Sequence, residues 1–332
     1  MRETPVNVDH TRELALSRDM SSHIIRSGSI GSYCEPPGNG LHHVFLLHLK
    51  EGDWVGRRTL RRGDGQRWQP YSALHPSMLL GPHIQSQWSN DGVSIYFRAT
   101  SAAQKAMAFE SALTSPDAQL HFPFALVDDA GREAVCPQEY WHVSESLAVR
   151  LNADEQHFRE HCVALLKTLS KPGTVIYDPA CSTGEFIAHL ADRLPDCRCL
   201  GSDRSVSMIE YAQNHHGLSR VGFRVMEAEI STESGIRCDV LILRFLNAEV
   251  MTRSEAHTIF GRLMPCVNPG GTILIFGHTP VLLAVTWLIQ TFGLTLVSSV
   301  AARSGRQELF QFYRLTVPTS GSLLPATVNH DT

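Results

Sequence analysis

The chain has 332 residues, 43% of them hydrophobic, and a formal net charge of −4. That length allows one catalytic domain plus a second unit, and a weakly acidic balance gives no footing to nucleic acid or an anionic membrane surface as partner. The eight cysteines contain no Cys-x-x-Cys pair and no apolar signal region opens the chain, so reduced thiols in a cytoplasmic protein are expected.

Residues 1–40 are polar and carry Ser27-Gly28-Ser29-Ile30-Gly31-Ser32 and Glu35-Pro36-Pro37-Gly38; they read as a flexible N-terminal arm. Residues 41–135 read as an accessory α+β domain rich in short strands. Val44–Leu49, Val55–Leu60, Ser77–Leu80 and Val93–Arg98 are its strand candidates. Turn signals such as Glu51-Gly52-Asp53, Gly63-Asp64-Gly65 and Asn90-Asp91-Gly92 separate them. A helix opens at Ala102 with Ser101 as its N-cap, and Leu120–Val127 is a further strand candidate. No internal repeat and no cluster of metal ligands is visible here.

Residues 136–316 read as the catalytic domain and 317–332 as a C-terminal tail. A helix over Asp154–Leu169 places Phe158, Cys162, Leu165, Leu166 and Leu169 on one face. His157 and His161 stand four apart on it, a chelating spacing, but no third ligand accompanies them and no metal is expected. Strand and helix then alternate. Strands are expected at 174–178, 197–203, 221–226, 239–243 and 271–276, with helices at 184–194, 205–213 and near 280–292. Two closing strands, 294–298 and 308–315, have little between them. Alternation of this kind builds a mostly parallel, doubly wound sheet, and the closing pair adds an antiparallel edge. The longest apolar run, Pro280–Ile289, is too short to cross a bilayer, which takes about twenty residues.

The centre of this domain is Tyr177-Asp178-Pro179-Ala180-Cys181-Ser182-Thr183-Gly184-Glu185-Phe186. An acid ends a strand, small residues make a tight loop, and a helix opens on Gly184. Such a unit lets backbone approach a nucleoside. Asp203 closes the next strand, where an acid suits ribose hydroxyls. No Gly-Lys-Ser/Thr is present, which argues against a nucleoside triphosphate. Asp178-x-Ala180-x-Ser182-x-Gly184 resembles the Asp-x-Gly-x-Gly-x-Gly loop of class I S-adenosylmethionine (SAM)-dependent methyltransferases. Ala180 and Ser182 replace two of its glycines, so a position needing positive φ becomes less comfortable.

The resemblance covers about residues 140–315 and implies a Rossmann-like fold that uses SAM. It sets Asp178, Ala180, Cys181, Ser182 and Gly184 against the methionine end of SAM. Asp203 would hold the ribose, Arg204 would lie beside the adenine, and Glu227 and Ala228 would meet the adenine edge. Arg244 and Asn247 follow the fourth strand, where the family places residues beside the transferred methyl. Tyr140 and Trp141 are candidate lid residues, since aromatic faces attract a sulfonium; packing between the domains is the competing reading. Tyr177 stands where the family usually has an aliphatic residue, and either presents its hydroxyl to the ligand or is a buried, hydrogen-bonded tyrosine.

Three functions fit. Methyl transfer to a small-molecule acceptor leads. A second is a lyase of bacterial secondary metabolism, resembling azetidine-2-carboxylate synthases, in which SAM's own amine displaces methylthioadenosine. There Tyr177 and Asn247 would position or deprotonate the amine, and Tyr140 or Trp141 would cage the sulfonium. The third is a non-catalytic SAM-binding regulator. No macromolecular partner is implied, and the chain is expected as a monomer or homodimer.

Overall fold

The computed structural model describes residues 10–21, 28–36, 40–62, 68–70, 72–125, 127–128, 131–137, 141–303 and 307–319. The first half contains α1 (His10–Ser21), β1 (Ile30–Glu35), β2 (Val44–Leu49), β3 (Gly52–Arg57), β4 (Leu60–Arg62) and β5 (Trp68–Pro70). β6 (Leu79–Ser89), β7 (Gly92–Arg98), α2 (Ala102–Thr114) and β8 (Gln119–His121) follow. Six of these strands form an antiparallel sheet in the order β1-β7-β6-β3-β2-β8, while β4 and β5 pair with each other. Period-two patterning explains the buried face: Phe45 and Leu47 of β2 point inward and are at most 1% exposed. They pack with Leu120 of β8 and with Ala108, Phe109 and Ala112 of α2. Ser101 caps α2 in a capping box with Gln104, a device that stabilises a helix by about 1 kcal/mol.

The expected flexible arm over residues 1–40 is corrected in part. β1 pairs along its length with β7 at the sheet edge, and α1 sends Glu13 into the interior, where its carboxylate meets Arg57. Both partners lie far along the chain, so local composition carries no trace of them. Residues 1–9, 22–27 and 37–39 of that segment lie outside the described residues, as do 320–332 of the expected tail.

The second half contains α3 (Glu145–Leu169), β9 (Val175–Asp178), α4 (Glu185–Arg193), β10 (Arg198–Asp203), α5 (Val206–His216) and β11 (Val221–Val225). It continues with β12 (Cys238–Leu243), α6 (Arg253–Leu263), β13 (Val267–Phe276), α7 (Val285–Phe292), β14 (Thr295–Ala302) and β15 (Leu309–Thr316). The sheet order is β11-β10-β9-β12-β13-β15-β14. The first five run parallel, and β15 is antiparallel to both its neighbours. Helices cover both faces, which is why β12 and β13 read as near-continuous apolar runs. On one face Phe158, Cys162 and Leu166 of α3 pack with Phe186 and Leu190 of α4. On the other, Phe260 and Leu263 of α6 pack with Leu288 of α7.

Several strand boundaries differ from expectation, α6 was not anticipated, and two helices start well away from their expected positions. α3 begins at Glu145 because the Ser144 hydroxyl accepts from the Leu147 amide at 3.2 Å. α7 begins only at Val285, since Val281 is drawn into a bridge with Asn247 and its amide donates to Gln311 Oε1 at 2.9 Å.

The two sheets meet at the antiparallel edge. Leu74 and Leu309 exchange both backbone hydrogen bonds, at 2.6 and 3.0 Å. The Ser299 hydroxyl holds β8, accepting from the Leu120 amide in the strand and donating to the carbonyl of Ala118 just before it. Leu309 lies inside the accessory domain's own core. Among the described residues no helix is long and apolar enough to cross a membrane.

Candidate active site

In an open parallel sheet a ligand crevice forms at the carboxyl ends of the strands, where the order reverses. Here that point lies between β9 and β12, and the loop after β9 closes it. The Cys181 amide donates to the Ser202 carbonyl at 2.8 Å, tying the loop to β10. Ser182 takes the left-handed conformation with φ of 51°, the strained posture anticipated where glycine is replaced. Its amide donates to Asp203 Oδ2 at 3.0 Å. Gly184 has φ of 79°, and a Cβ there would stand 2.8 Å from Ala212 Cβ and from the Phe223 ring. Only glycine fits the joint between loop and helix.

Asp178 is 0% exposed. Its Oδ1 accepts from the Ala180 amide at 3.2 Å and its Oδ2 from Arg244 Nε at 3.0 Å. Arg244 also pairs with Glu155 of α3 and lies over the Phe186 ring, 4.6 Å from its centroid. Burial pushes the Asp178 carboxyl above its ordinary range, and Arg244 opposes this only in part. Burial also works against the Arg244 cation, but Asp178 and Glu155 outweigh it and raise its pKa. Asp203 is raised by burial as well, against the amides of Ser205 and Ser182 that hold its two oxygens. One amide on each oxygen leaves lone pairs for further donors.

The Tyr177 hydroxyl lies between Ser202 Oγ at 2.8 Å and Ser231 Oγ at 2.7 Å, with the ring 1% exposed. Burial pushes its pKa up to about 12, against both serine contacts. A phenol held this way braces β9 against β10 and the turn after β11 and is a poor proton acceptor, so the geometry speaks against the expected deprotonating role. Asn247 is buried in the loop after β12 and donates through Nδ2 to the Arg244 carbonyl at 2.9 Å. That contact settles the amide's orientation, since only nitrogen can face a carbonyl. Its Oδ1 is buried and has no hydrogen-bond partner among the described residues. A Cβ on Gly277 would stand 1.9 Å from Asn247 Nδ2, so the glycine after β13 makes room for this amide.

Glu227 and Arg204 are exposed at the ends of β11 and β10, and Ala228 opens a 3₁₀ turn over Ala228–Ile230. Trp141 is half-buried; Tyr140 lies outside the described residues. His157 and His161 serve packing. His157 Nε2 contacts Ser72 Oγ at 3.0 Å, and the His161 ring stands edge-on to Phe312 at 4.6 Å.

Asp178, Ala180, Cys181, Ser182, Gly184, Asp203, Arg244 and Asn247 thus gather at the ends of β9, β10 and β12. Sequence reasoning missed Glu155, whose spacing on α3 carries no motif. It missed Glu133 too, whose carboxylate accepts from the Arg253 amide at 2.6 Å and ties the linker to α6.

Residues 176–271 match the family described as "Methyltransferase domain". Over 281 residues the chain is 32% identical to isonocardicin synthase of Nocardia uniformis subsp. tsuyamanensis, spanning 82% of this chain and 91% of that protein. It is 24% identical over 115 residues to carboxy-S-adenosyl-L-methionine synthase of Klebsiella pneumoniae subsp. pneumoniae, spanning 33% of this chain and 46% of that protein. Among solved structures it is similar to magnesium protoporphyrin IX methyltransferase from Synechocystis PCC 6803 with bound SAM. That likeness has a TM-score of 0.41 and 16% identity, and covers 53% of this chain and 85% of that one.

Proposed function

Because the chain belongs, with isonocardicin synthase, to the class I SAM-dependent methyltransferase family, we propose that it is a SAM-consuming enzyme of secondary metabolism acting on small molecules. The residues present fit SAM: Asp203 keeps lone pairs for ribose hydroxyls, and the loop 179–184 is small enough for close approach. Arg204, Glu227 and Ala228 would border the adenine. Asp178, Ala180, Cys181, Ser182, Gly184 and Arg244 would form the wall behind the methionine portion.

For the reaction itself, the reading we favour is ring closure of SAM rather than methyl transfer. The observation that carries it is the buried, unpartnered Asn247 Oδ1 beside a set of acids already engaged. Asp178 is held by Arg244, Asp203 by two amides, and the Tyr177 phenol by two serines. Among these side chains one acceptor can orient an amine, and none is free to take a proton from a foreign nucleophile. SAM carries its own nucleophile. The neutral α-amine attacks Cγ, the Cγ–S bond breaks with its electron pair going to sulfur, and methylthioadenosine leaves. Azetidine-2-carboxylate remains, with the ring nitrogen keeping both amine protons as an ammonium. Orientation supplies most of the rate in an intramolecular displacement. Two relatives are named as synthases, and the name of one carries S-adenosyl-L-methionine itself. Methyl transfer is the second reading, favoured by the domain family matched over 176–271.

Incubating the purified protein with SAM alone and separating the products by mass tests this. Methylthioadenosine and azetidine-2-carboxylate in equal amounts are expected. S-adenosylhomocysteine, formed only once a metabolite extract is added, would establish methyl transfer instead.

A further inference from the structure

Two neighbouring arginines at the end of β3 are each 1% exposed and have opposite surroundings. Arg57 is saturated: its Nε donates to Glu35 Oε2 at 2.7 Å, and its Nη1 and Nη2 donate to both oxygens of Glu13. Arg58 has no carboxylate in salt-bridge reach among the described residues. Its Nη1 donates to the His278 carbonyl at 3.0 Å, and its Nε and Nη2 share His43 Nδ1 at 3.2 and 3.1 Å. The guanidinium faces the Phe122 ring at 5.3 Å. Burial pulls its pKa down to about 10, while Glu249 and Glu13 support the charge from a distance and Arg57 opposes it. A buried cation with no carboxylate in contact is costly, and an anion brought by a ligand would relieve that cost.

Its place in the fold indicates the anion. His278 follows β13, so Arg58 reaches from the accessory domain to the carboxyl end of the parallel sheet. From Asp203 on β10, the ends pass through Asp178 on β9 and Arg244 on β12 to His278 beyond β13. Three inter-strand steps of about 4.8 Å cover roughly 14 Å. A SAM molecule anchored by its ribose at Asp203 points its amino-acid end this way. Arg244, the cation it passes first, is already held by two carboxylates.

We propose that Arg58 receives the α-carboxylate of SAM, so that the accessory domain supplies a binding residue to the catalytic crevice. The inference rests on the reading that SAM is the ligand of this site. It gives the accessory domain a part in the reaction: with the carboxylate on Arg58 and the amine on Asn247, the methionine chain is held by both of its polar ends.

The test compares SAM with decarboxylated SAM, which keeps the sulfonium and amine and lacks the carboxylate. Affinities are measured on the full chain by rapid mixing within the first turnover, before SAM is consumed. The wild type should bind decarboxylated SAM at least about 30-fold more weakly. Arg58→Met should bind both ligands equally at that weaker level, and Arg58→Lys should keep part of the preference. Arg159→Met, which removes another buried guanidinium on α3, should keep the preference. Equal affinity of the wild type for the two ligands overturns the inference even if no variant folds, and so does a preference that survives Arg58→Met. Failure of the wild type to bind SAM at all sinks the functional reading instead.

Discussion

The Tyr177 hydroxyl satisfies two serines at once, and that double contact decides what its removal costs. In Tyr177→Phe, Ser202 and Ser231 each lose a partner, though Ser231 keeps its contact with the Ala228 carbonyl at 2.7 Å and Ser202 a longer one with the Pro179 carbonyl at 3.5 Å. Leaving a buried polar atom unpaired costs about 1–3 kcal/mol. Urea denaturation should therefore show a loss in that range, with turnover per folded molecule retained. A sharp fall in turnover at unchanged stability would return the hydroxyl to the reaction. Asp178 and Asp203 were legible from the sequence because a strand, an acid and a loop of small residues form one local pattern. Arg58 and Glu155 were not, since what gives each its meaning is a partner at long range: the His278 carbonyl for one and the Arg244 guanidinium for the other.

At the scale of elements, the loop between β9 and α4 contains two left-handed residues of different kinds. Ser182 tolerates its φ of 51° and gains an amide bond to Asp203; Gly184 has a φ of 79° and no room for a side chain. Ser182→Gly relieves strain but widens the unfolded ensemble, and the two effects, each near 1 kcal/mol, nearly cancel. Gly184→Ala adds strain and a clash with Ala212 and Phe223, and is expected to cost about 1–3 kcal/mol. Thermal melts of the two variants check this, and equal melting temperatures would refute the steric account. The parallel strands were readable because burial on both faces leaves unbroken apolar runs, as in Val240–Leu243. β1 was not, because Ile30-Gly31-Ser32-Tyr33 is a polar edge strand that becomes a strand only against β7.

Across the whole molecule, burial of histidines sets the response to acid. His42 and His43 are each 3% exposed and His157 is 4% exposed. Burial, reinforced by nearby cations, pulls the first two well below the ordinary imidazole range. It takes His157 down to about 3, and burial alone takes His161 to about 4. For a base whose folded pKa is depressed, the unfolded chain takes up protons first. Stability is then complete above the unfolded value near 6.5 and falls as pH drops toward the folded values. For His157 alone the loss at pH 5 is about 2 kcal/mol. Asp178 and Asp203, raised by burial, act with the opposite sign and favour the folded state as pH falls. Their window runs from the raised folded values down to the ordinary carboxylate range, so they offset part of the loss due to the histidines. Denaturation at pH 7.5 and pH 5 should show a marked loss in the wild type. His157→Gln, which keeps a polar group for Ser72 but does not titrate, should lose about 2 kcal/mol less over the same interval. Equal losses in the two proteins would mean that His157 is not the group through which acid acts on the joint between α3 and the accessory domain.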